Sequence, residues 1–258
     1  MGSLLSAPFY YAYAASTGKE LHMSRYLKSD NLRYTEKRRT GEGADYIPWI
    51  KASEFNSGGT CVVMPDYKNG RTVQLLSQGE ARLYYILRFD EKVADIREQF
   101  PLDLDKTLEL ADAFGIRHPK NRSSCMTTDM LVTLADGSLC AYSVKSIRKT
   151  VSNARVKETL FLEKQYWEQR GIPFKVVFAS ELSWFRAENI RLCSYYWDPS
   201  FVTDGFSAIK HLIIHHKIEA EMDEKILDFR ELIDRHKEEI DSLLRQSSIP
   251  IENEKKEL

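Results

Sequence analysis

Two neighbouring segments of the sequence each contain a charged residue with the character of a catalytic group. Asp129 lies in the middle of the otherwise uncharged run Met126–Leu134, and Lys145 ends the run Leu139–Lys145, two positions after Ser143. Both runs have the length and composition of β-strands, and a charge inside a strand is costly unless it is paired or binds an ion. A carboxylate and a lysine in this setting could serve metal-assisted hydrolysis of a phosphodiester.

The loop between these two runs decides whether Asp129 and Lys145 can act together. The pair Asp136-Gly137 predicts a hairpin. A two-residue loop would turn Asp129 and Lys145 to opposite faces of the sheet. A three-residue loop, Ala135–Gly137, with its glycine in the left-handed conformation, would place Asp129 opposite Ser143 and diagonal to Lys145, about 7–8 Å away. The catalytic interpretation therefore requires the three-residue loop or an equivalent bulge.

A divalent cation held between these side chains would supply the chemistry. Phosphodiester hydrolysis needs a cation that neutralises the phosphate and generates hydroxide near neutral pH. Mg²⁺ prefers carboxylate, carbonyl and water oxygens, and Mn²⁺ is the alternative. Asp129 would be the principal ligand, the Val144 carbonyl another, and Glu80, near the start of an earlier helix, the second carboxylate. Lys145 would stabilise the developing negative charge or orient the attacking water.

Both carboxylates also have a structural interpretation. Glu80 is the third residue after Ser77, which is the spacing of a capping box at a helix start. Asp129 and Lys145 could be a cross-strand ion pair that only stabilises the hairpin. Because a lone aspartate followed by a Ser-x-Lys triplet is common by chance, the spacing alone leaves these interpretations open.

The surrounding pattern predicts an α/β fold that would position these residues. The predicted elements are strands at 61–64 and 72–76, a helix from Ser77 to about Phe89, a strand at 93–100, a helix at 106–114, the two hairpin strands, a helix at 153–169 and a strand at 174–178. This order indicates a mixed sheet flanked by helices, with a small hairpin in front.

A more specific signal comes from five segments in a fixed order. They are Asp45–Ile50, Asp95–Pro101, Gly115–Pro119, Met126–Asp129 and Tyr166-Trp167, which read DYIPWI, DIREQFP, GIRHP, MTTD and YW. Across roughly residues 45–190, the chain resembles the TnsA family, the endonuclease subunits of heteromeric bacterial transposases. The resemblance implies a type II restriction-endonuclease-like fold. It also implies that the family's catalytic glutamate, aspartate and lysine fall on Glu80, Asp129 and Lys145.

The same resemblance implies a division of labour among subunits. This chain would be a Mg²⁺-dependent DNA endonuclease that hydrolyses phosphodiesters at the 5′ ends of the transposon. A separate integrase-like transposase subunit would cut and join the 3′ ends, and an ATP-dependent transposition regulator would be a further partner. A freestanding restriction-like nuclease and a catalytically silent scaffold of a transposition complex remain the alternatives.

Ser143 departs from the family, which usually has glutamine at this position. A hydroxyl is a weaker ligand for Mg²⁺ than an amide oxygen, so the departure puts the metal affinity in doubt. Glu158 or Glu163 on the following helix could reach in and complete the shell. We nevertheless favour a solvated helix face for both glutamates, because charged residues on a helix usually face water.

Charge and length divide the chain into three predicted regions. Residues 1–44 form a basic N-terminal arm, residues 45–198 the restriction-endonuclease-like catalytic domain, and residues 199–258 a small helical C-terminal region. Residues 218–244 predict one or two amphipathic helices there, and both partner contact and an ordinary packed appendage stay open. Basic residues on two loops near the predicted site are expected to follow a DNA backbone, and they are Arg117, Lys120, Arg122, Arg148 and Lys149.

The composition bounds the class of protein. A chain of 258 residues with 43% hydrophobic content fits one or two domains. Its formal net charge of −1 does not indicate a nucleic-acid binder, so DNA contact would need local basic patches or partner proteins. Widely spaced cysteines without a CxxC pair fit a reducing compartment. The apolar segment Leu4–Ala15 is too short to cross a bilayer. We expect a bacterial cytoplasmic protein that joins the nucleoid when it binds DNA.

Overall fold

The protein is described from a computed structural model, which covers residues 29–54, 60–120 and 122–247. Most of the predicted basic arm, residues 1–44, lies outside these described residues. Its last part forms helix α1 (Asp30–Thr35) and a turn that packs on the rest of the chain. There the guanidinium of Arg38 is fully buried, donates to the Trp49 carbonyl at 2.7 Å and pairs with Glu54. The arm is therefore fixed to the following segment from about Asp30 onwards.

The central sheet has four strands in the order β3–β4–β5–β6. They are β3 (Val93–Pro101), β4 (Thr127–Leu134), β5 (Leu139–Lys145) and β6 (Phe174–Phe178). The first three strands run antiparallel, and β6 pairs parallel with β5. A separate two-stranded hairpin precedes them, formed by β1 (Val62–Pro65) and β2 (Thr72–Leu75). This mixed sheet confirms the predicted α/β class.

Helices cover both faces of this sheet. The seven helices that follow α1 in the described residues are α2 (Gln78–Phe89), α3 (Leu104–Ala113), α4 (Ala154–Glu168), α5 (Trp184–Ser194), α6 (Gly205–Ile214), α7 (Phe229–Arg235) and α8 (Lys237–Ser247). On one face, Met130 and Val132 of β4 pack with α2 and the small hairpin. On the other face, Leu131 packs with α3 and α4. The alternation of β4 therefore gives the molecule two apolar layers around one sheet.

The hairpin between β4 and β5 has the register that the catalytic interpretation requires. Its pairs run from Met130 opposite Tyr142 to Thr133 opposite Leu139, which leaves Asp129 opposite Ser143. The intervening loop is the three-residue loop, and Gly137 adopts a left-handed φ of +82° that favours glycine. Of the two loops that the sequence left open, the three-residue loop is the one that forms.

The C-terminal region differs from its prediction. The helices predicted over residues 218–244 are absent from residues 218–228, and the two that form, α7 and α8, begin only at Phe229. The spacing of Ile218 and Met222 is helical, but both are buried in an irregular segment that packs on α5 and α6. Asn189 of α5 stabilises this segment, because its fully buried amide donates to the carbonyls of Met222 and Lys225 and accepts from the Leu227 amide. The backbone groups that a helix would pair internally are thus satisfied from outside.

The C-terminal helices share one apolar core with the end of α2. Phe89, Ile190, Ile209 and Ile213 all lie in this core. Helices α5 and α6, which lie on either side of the predicted domain boundary at residue 198, pack against each other. The boundary itself stays a prediction. Within the described residues, no helix combines the length and the apolar character needed to cross a membrane.

Candidate active site

Asp129 lies at the centre of the candidate site. Its Oδ2 accepts a hydrogen bond from the Val144 amide at 2.6 Å and one from the Ser143 hydroxyl at 3.3 Å. The Lys145 Nζ lies 3.8 Å from the same oxygen, and it donates to the Ser143 hydroxyl at 2.8 Å and to the Val144 carbonyl at 3.0 Å. The three-residue loop thus brings the aspartate and the lysine together on one face.

Glu80 reaches this region from the first turn of α2. Ser77 caps the helix, and its hydroxyl accepts from the Glu80 amide at 3.1 Å, as in a capping box. The carboxylate, however, accepts from the Leu76 amide at 2.9 Å instead of the amide of the cap residue. It also accepts from the Ser77 hydroxyl at 2.9 Å and from the Gln99 side-chain amide at 3.1 Å. Glu80 therefore begins the helix and also turns a buried carboxylate towards the sheet.

Glu163 is a third buried carboxyl, and its predicted place on a solvated helix face is wrong. It is 3% exposed and accepts a hydrogen bond from the Thr128 hydroxyl, which in turn accepts from the indole nitrogen of Trp167 at 2.8 Å. Glu158, which was predicted to lie on the same face, is half-exposed and pairs with Arg155 at 2.9 Å. The sequence carried a signal for this difference, because Leu160, Glu163 and Trp167 have the spacing of one buried helix face.

The electrostatics of the site favour a bound cation. Burial, followed by the negative charge of Asp129, raises the pKa of Glu80 to about 8. The same two causes, in the same order, raise the pKa of Glu163 to about 8. Both carboxyls therefore resist ionisation as long as only Lys145 offsets the negative charge. A divalent cation would relieve this repulsion, and carboxylate oxygens are the ligands that Mg²⁺ and Mn²⁺ prefer.

The protein side chains do not form a closed metal cage. In the part of the chain that the structure describes, no three His, Cys, Asp or Glu side chains are grouped closely enough to hold a metal ion by themselves. Mg²⁺ usually keeps several waters and takes only one or two protein carboxylates, so an open donor set fits this ion. The Val144 carbonyl, a predicted ligand, accepts from Lys145 in this structure.

Comparison with known proteins places the chain in a family. Residues 90–178 match the family model described as "TnsA-like endonuclease N terminal". Over 200 residues, the chain is 34% identical to the "Transposon Tn7 transposition protein TnsA" of Escherichia coli, and the match covers 76% of this chain and 69% of that protein. The chain belongs to the TnsA family. This membership confirms the predicted family and its restriction-endonuclease-like fold, and it makes the chain an endonuclease of a transposition system.

In this TnsA-family chain, the basic residues predicted to contact DNA lie on two loops. Lys149 is exposed in the turn after β5, and Arg148 beside it pairs with Glu181. The remaining three, Arg117, Lys120 and Arg122, are exposed on the loop before β4. Arg155 at the start of α4 holds the loop before β4 against this helix, because its guanidinium donates to the Arg117 carbonyl at 2.6 Å.

Sequence reasoning missed two residues that the site contains. Gln99 enters the sequence analysis only as part of a strand and of the motif Asp95–Pro101, although it donates to Glu80. Thr128 was noticed only as part of a family motif, although its buried hydroxyl joins Glu163 to Trp167. One signal was available for Gln99, since the three consecutive polar residues Arg97, Glu98 and Gln99 interrupt the alternation of the strand.

Proposed function

We propose that this chain is the Mg²⁺-dependent endonuclease subunit of a heteromeric transposase, and that it hydrolyses phosphodiesters at the 5′ ends of the transposon. The observation that carries the proposal is the geometry at Asp129, whose carboxylate lies 3.8 Å from the Lys145 amine. Two further carboxyls, Glu80 and Glu163, have a pKa raised by burial and then by the charge of Asp129. A structural ion pair would need only Lys145. Glu80 and Glu163 can readily ionise beside Asp129 only when a cation balances their charge.

The residues of the candidate site would have distinct roles. Asp129, Glu80 and the Val144 carbonyl would hold the cation, with Glu163 as a further carboxyl. When bound, Mg²⁺ or Mn²⁺ would neutralise the scissile phosphate and lower the pKa of a water molecule. Lys145 would stabilise the negative charge that develops on the phosphate or orient the attacking water.

Ser143 supports an assembled site over a silent scaffold. Its hydroxyl accepts from the Lys145 amine at 2.8 Å and donates to Asp129 at 3.3 Å, so it joins the two groups in one chain of hydrogen bonds. A lysine fixed in this way loses little rotamer freedom during the reaction. Serine therefore replaces the usual glutamine of the family without disconnecting the catalytic aspartate and lysine.

The DNA and the protein partners complete the proposal. Arg117, Lys120, Arg122, Arg148 and Lys149 would contact the backbone of the transposon-end DNA. The integrase-like subunit and the ATP-dependent regulator would be the protein partners. Exposed aromatic rings on the C-terminal region, Phe201 and Phe206, support partner contact there, because aromatic residues are enriched at protein interfaces.

The deciding experiment is strand-specific cleavage of labelled transposon-end DNA with Mg²⁺ and the partner subunits. Asp129→Asn keeps the size of the side chain and an acceptor for the Val144 amide, but it removes the charge. We expect the variant to lose the 5′-end cuts and to keep the 3′-end cuts. Asp105→Ala, which changes an exposed aspartate of α3, is the control and should cut both strands normally.

Two outcomes would count against the proposal. Full 5′-end cleavage by folded Asp129→Asn would remove Asp129 from the site. Efficient cleavage of a defined sequence by the wild-type chain alone would favour the freestanding nuclease, since that enzyme needs no partner.

A further inference from the structure

Gln99 has an unusual backbone conformation at a position next to the site. Its φ is +49°, in the left-handed region that residues other than glycine rarely adopt. The flanking pairs are regular, with Glu98 opposite Met130 and Phe100 opposite Thr128, so Gln99 lies across from Asp129. Such a conformation costs free energy and persists only where the surroundings impose it.

This conformation lets two consecutive side chains reach the same neighbouring segment. In a regular strand, Glu98 and Gln99 would point to opposite faces. Here the Glu98 carboxylate binds Arg71 and accepts from the Gln74 amide of β2, whereas the Gln99 amide reaches Glu80, just after β2. The left-handed residue therefore turns a second polar side chain towards the β2–α2 segment.

The two buried carboxylates that result have different surroundings. Glu98 forms a buried ion pair with Arg71, with a nitrogen–oxygen distance of 2.8 Å. The carboxylate of Glu80 instead accepts hydrogen bonds from three neutral donors, namely the Leu76 amide, the Ser77 hydroxyl and the Gln99 amide. Neutral donors fix the orientation of a carboxylate without cancelling its charge, so the charge of Glu80 stays available to a cation.

We propose that Gln99 is a positioning residue that holds the Glu80 carboxylate beside Asp129 for binding of a divalent cation. The inference rests on the proposed function and adds to it the residue that orients the second carboxylate. Gln99 is 2% exposed and its side-chain amide donates to Glu80, so it would act through Glu80 and not by direct contact with the substrate. Its carbonyl accepts from the Trp49 amide at 3.3 Å, which connects this position to the segment that precedes the small hairpin.

Two substitutions test the role of the Gln99 side-chain amide in variants that should still fold. Gln99→Gly removes the side chain and adopts the left-handed backbone without strain, so the chain should still fold. Gln99→Met keeps the approximate volume of the side chain but offers no donor. Tyr46→Phe is the matched control, because it removes a hydrogen bond of 2.9 Å to the adjacent Glu98 carbonyl and leaves Glu80 untouched.

Two measurements on the full chain test the inference. The first is the shift in melting temperature on titration with MnCl₂ alone. The second is the Mg²⁺ concentration that gives the half-maximal rate of 5′-end cleavage with the partner subunits. For both Gln99 variants we expect each half-saturating concentration to rise about tenfold, the usual effect of removing a group that orients a metal ligand. Tyr46→Phe should titrate like the wild type.

Wild-type titration curves for the folded Gln99 variants would overturn the inference, even if their melting temperatures were lower. That result would leave the proposed function intact, provided that Asp129→Asn still abolished the 5′-end cuts. If 5′-end cleavage did not depend on Asp129, the proposed function itself would fail, and with it the role of Gln99. The two failures are therefore distinguishable.

Discussion

Replacing Glu163 with glutamine is expected to stabilise the metal-free protein at alkaline pH. Burial raises the pKa of Glu163 from 4.5 to about 8, so the folded state binds its proton more tightly than the unfolded state does. The resulting stabilisation is fully present below about pH 4.5 and is lost as the pH rises through about 8. Glutamine has no charge to lose, and its carbonyl can still accept from the Thr128 hydroxyl.

The size of this effect follows from the same pKa. Each pKa unit corresponds to about 1.4 kcal/mol. Asp129 repels Glu80 as well as Glu163, so the charges of all three groups are linked. We expect the substitution to raise the free energy of unfolding by an amount on the order of a few kcal/mol at pH 8.5. For a chain of this length, a gain of that order raises the melting temperature by roughly 5–10 °C. At pH 5 the two proteins should differ little, because Glu163 is then protonated in the folded wild type.

Thermal unfolding in EDTA at pH 5 and pH 8.5 measures the difference directly. With Mn²⁺ added at pH 8.5, the wild type should become more stable than the variant, because the cation stabilises the wild type more. A variant that is less stable than the wild type at pH 8.5 in EDTA would refute the reasoning. It would mean that Glu163 contributes more through its hydrogen bonds than its buried charge costs.

The remaining predictions concern DNA contact and the C-terminal region. Lys149→Ala should weaken DNA binding by the complex at all sequences and reduce the salt dependence of log K by about one unit, as measured by fluorescence anisotropy. Lys237→Ala on α8 is its control, and equal effects of both changes would contradict a specific contact. Asn189→Ala should lower the free energy of unfolding in urea by roughly 2–5 kcal/mol, because it leaves buried backbone groups of residues 222–227 unpaired. Unchanged hydrogen exchange in that segment would contradict this role.

Local sequence signals predicted most of the fold. The capping serine before α2, the alternation in β4 and the glycine in the hairpin loop each act over a few residues, and each element formed where its signal lies. The C-terminal prediction was wrong at residues 218–228 for the opposite reason. The spacing of apolar residues there is helical, but a distant asparagine on α5 satisfies the backbone in another conformation.

The prediction of the site was incomplete for a similar reason. The helical spacing of Leu160, Glu163 and Trp167 indicates a shared face, but a glutamate on that face could equally turn to water. Its partner is the Thr128 hydroxyl on another element. The role of Gln99 could not be predicted for the same reason, because no local sequence pattern predicts a left-handed φ at a residue other than glycine.

The sequence by itself predicted the hairpin and the candidate residues Glu80, Asp129 and Lys145, but it left the length of the hairpin loop open. Side chains alternate along a strand, so the three-residue loop before Ser138 is enough to place Asp129 and Lys145 on one face. Only the tertiary structure decided the length of that loop and brought Glu163 close to Asp129. The burial and the raised pKa values of Glu80 and Glu163 arise where α2 and α4 pack against the sheet, between residues far apart in the chain. Electrostatic repulsion depends on distance in space, which no spacing along the sequence fixes.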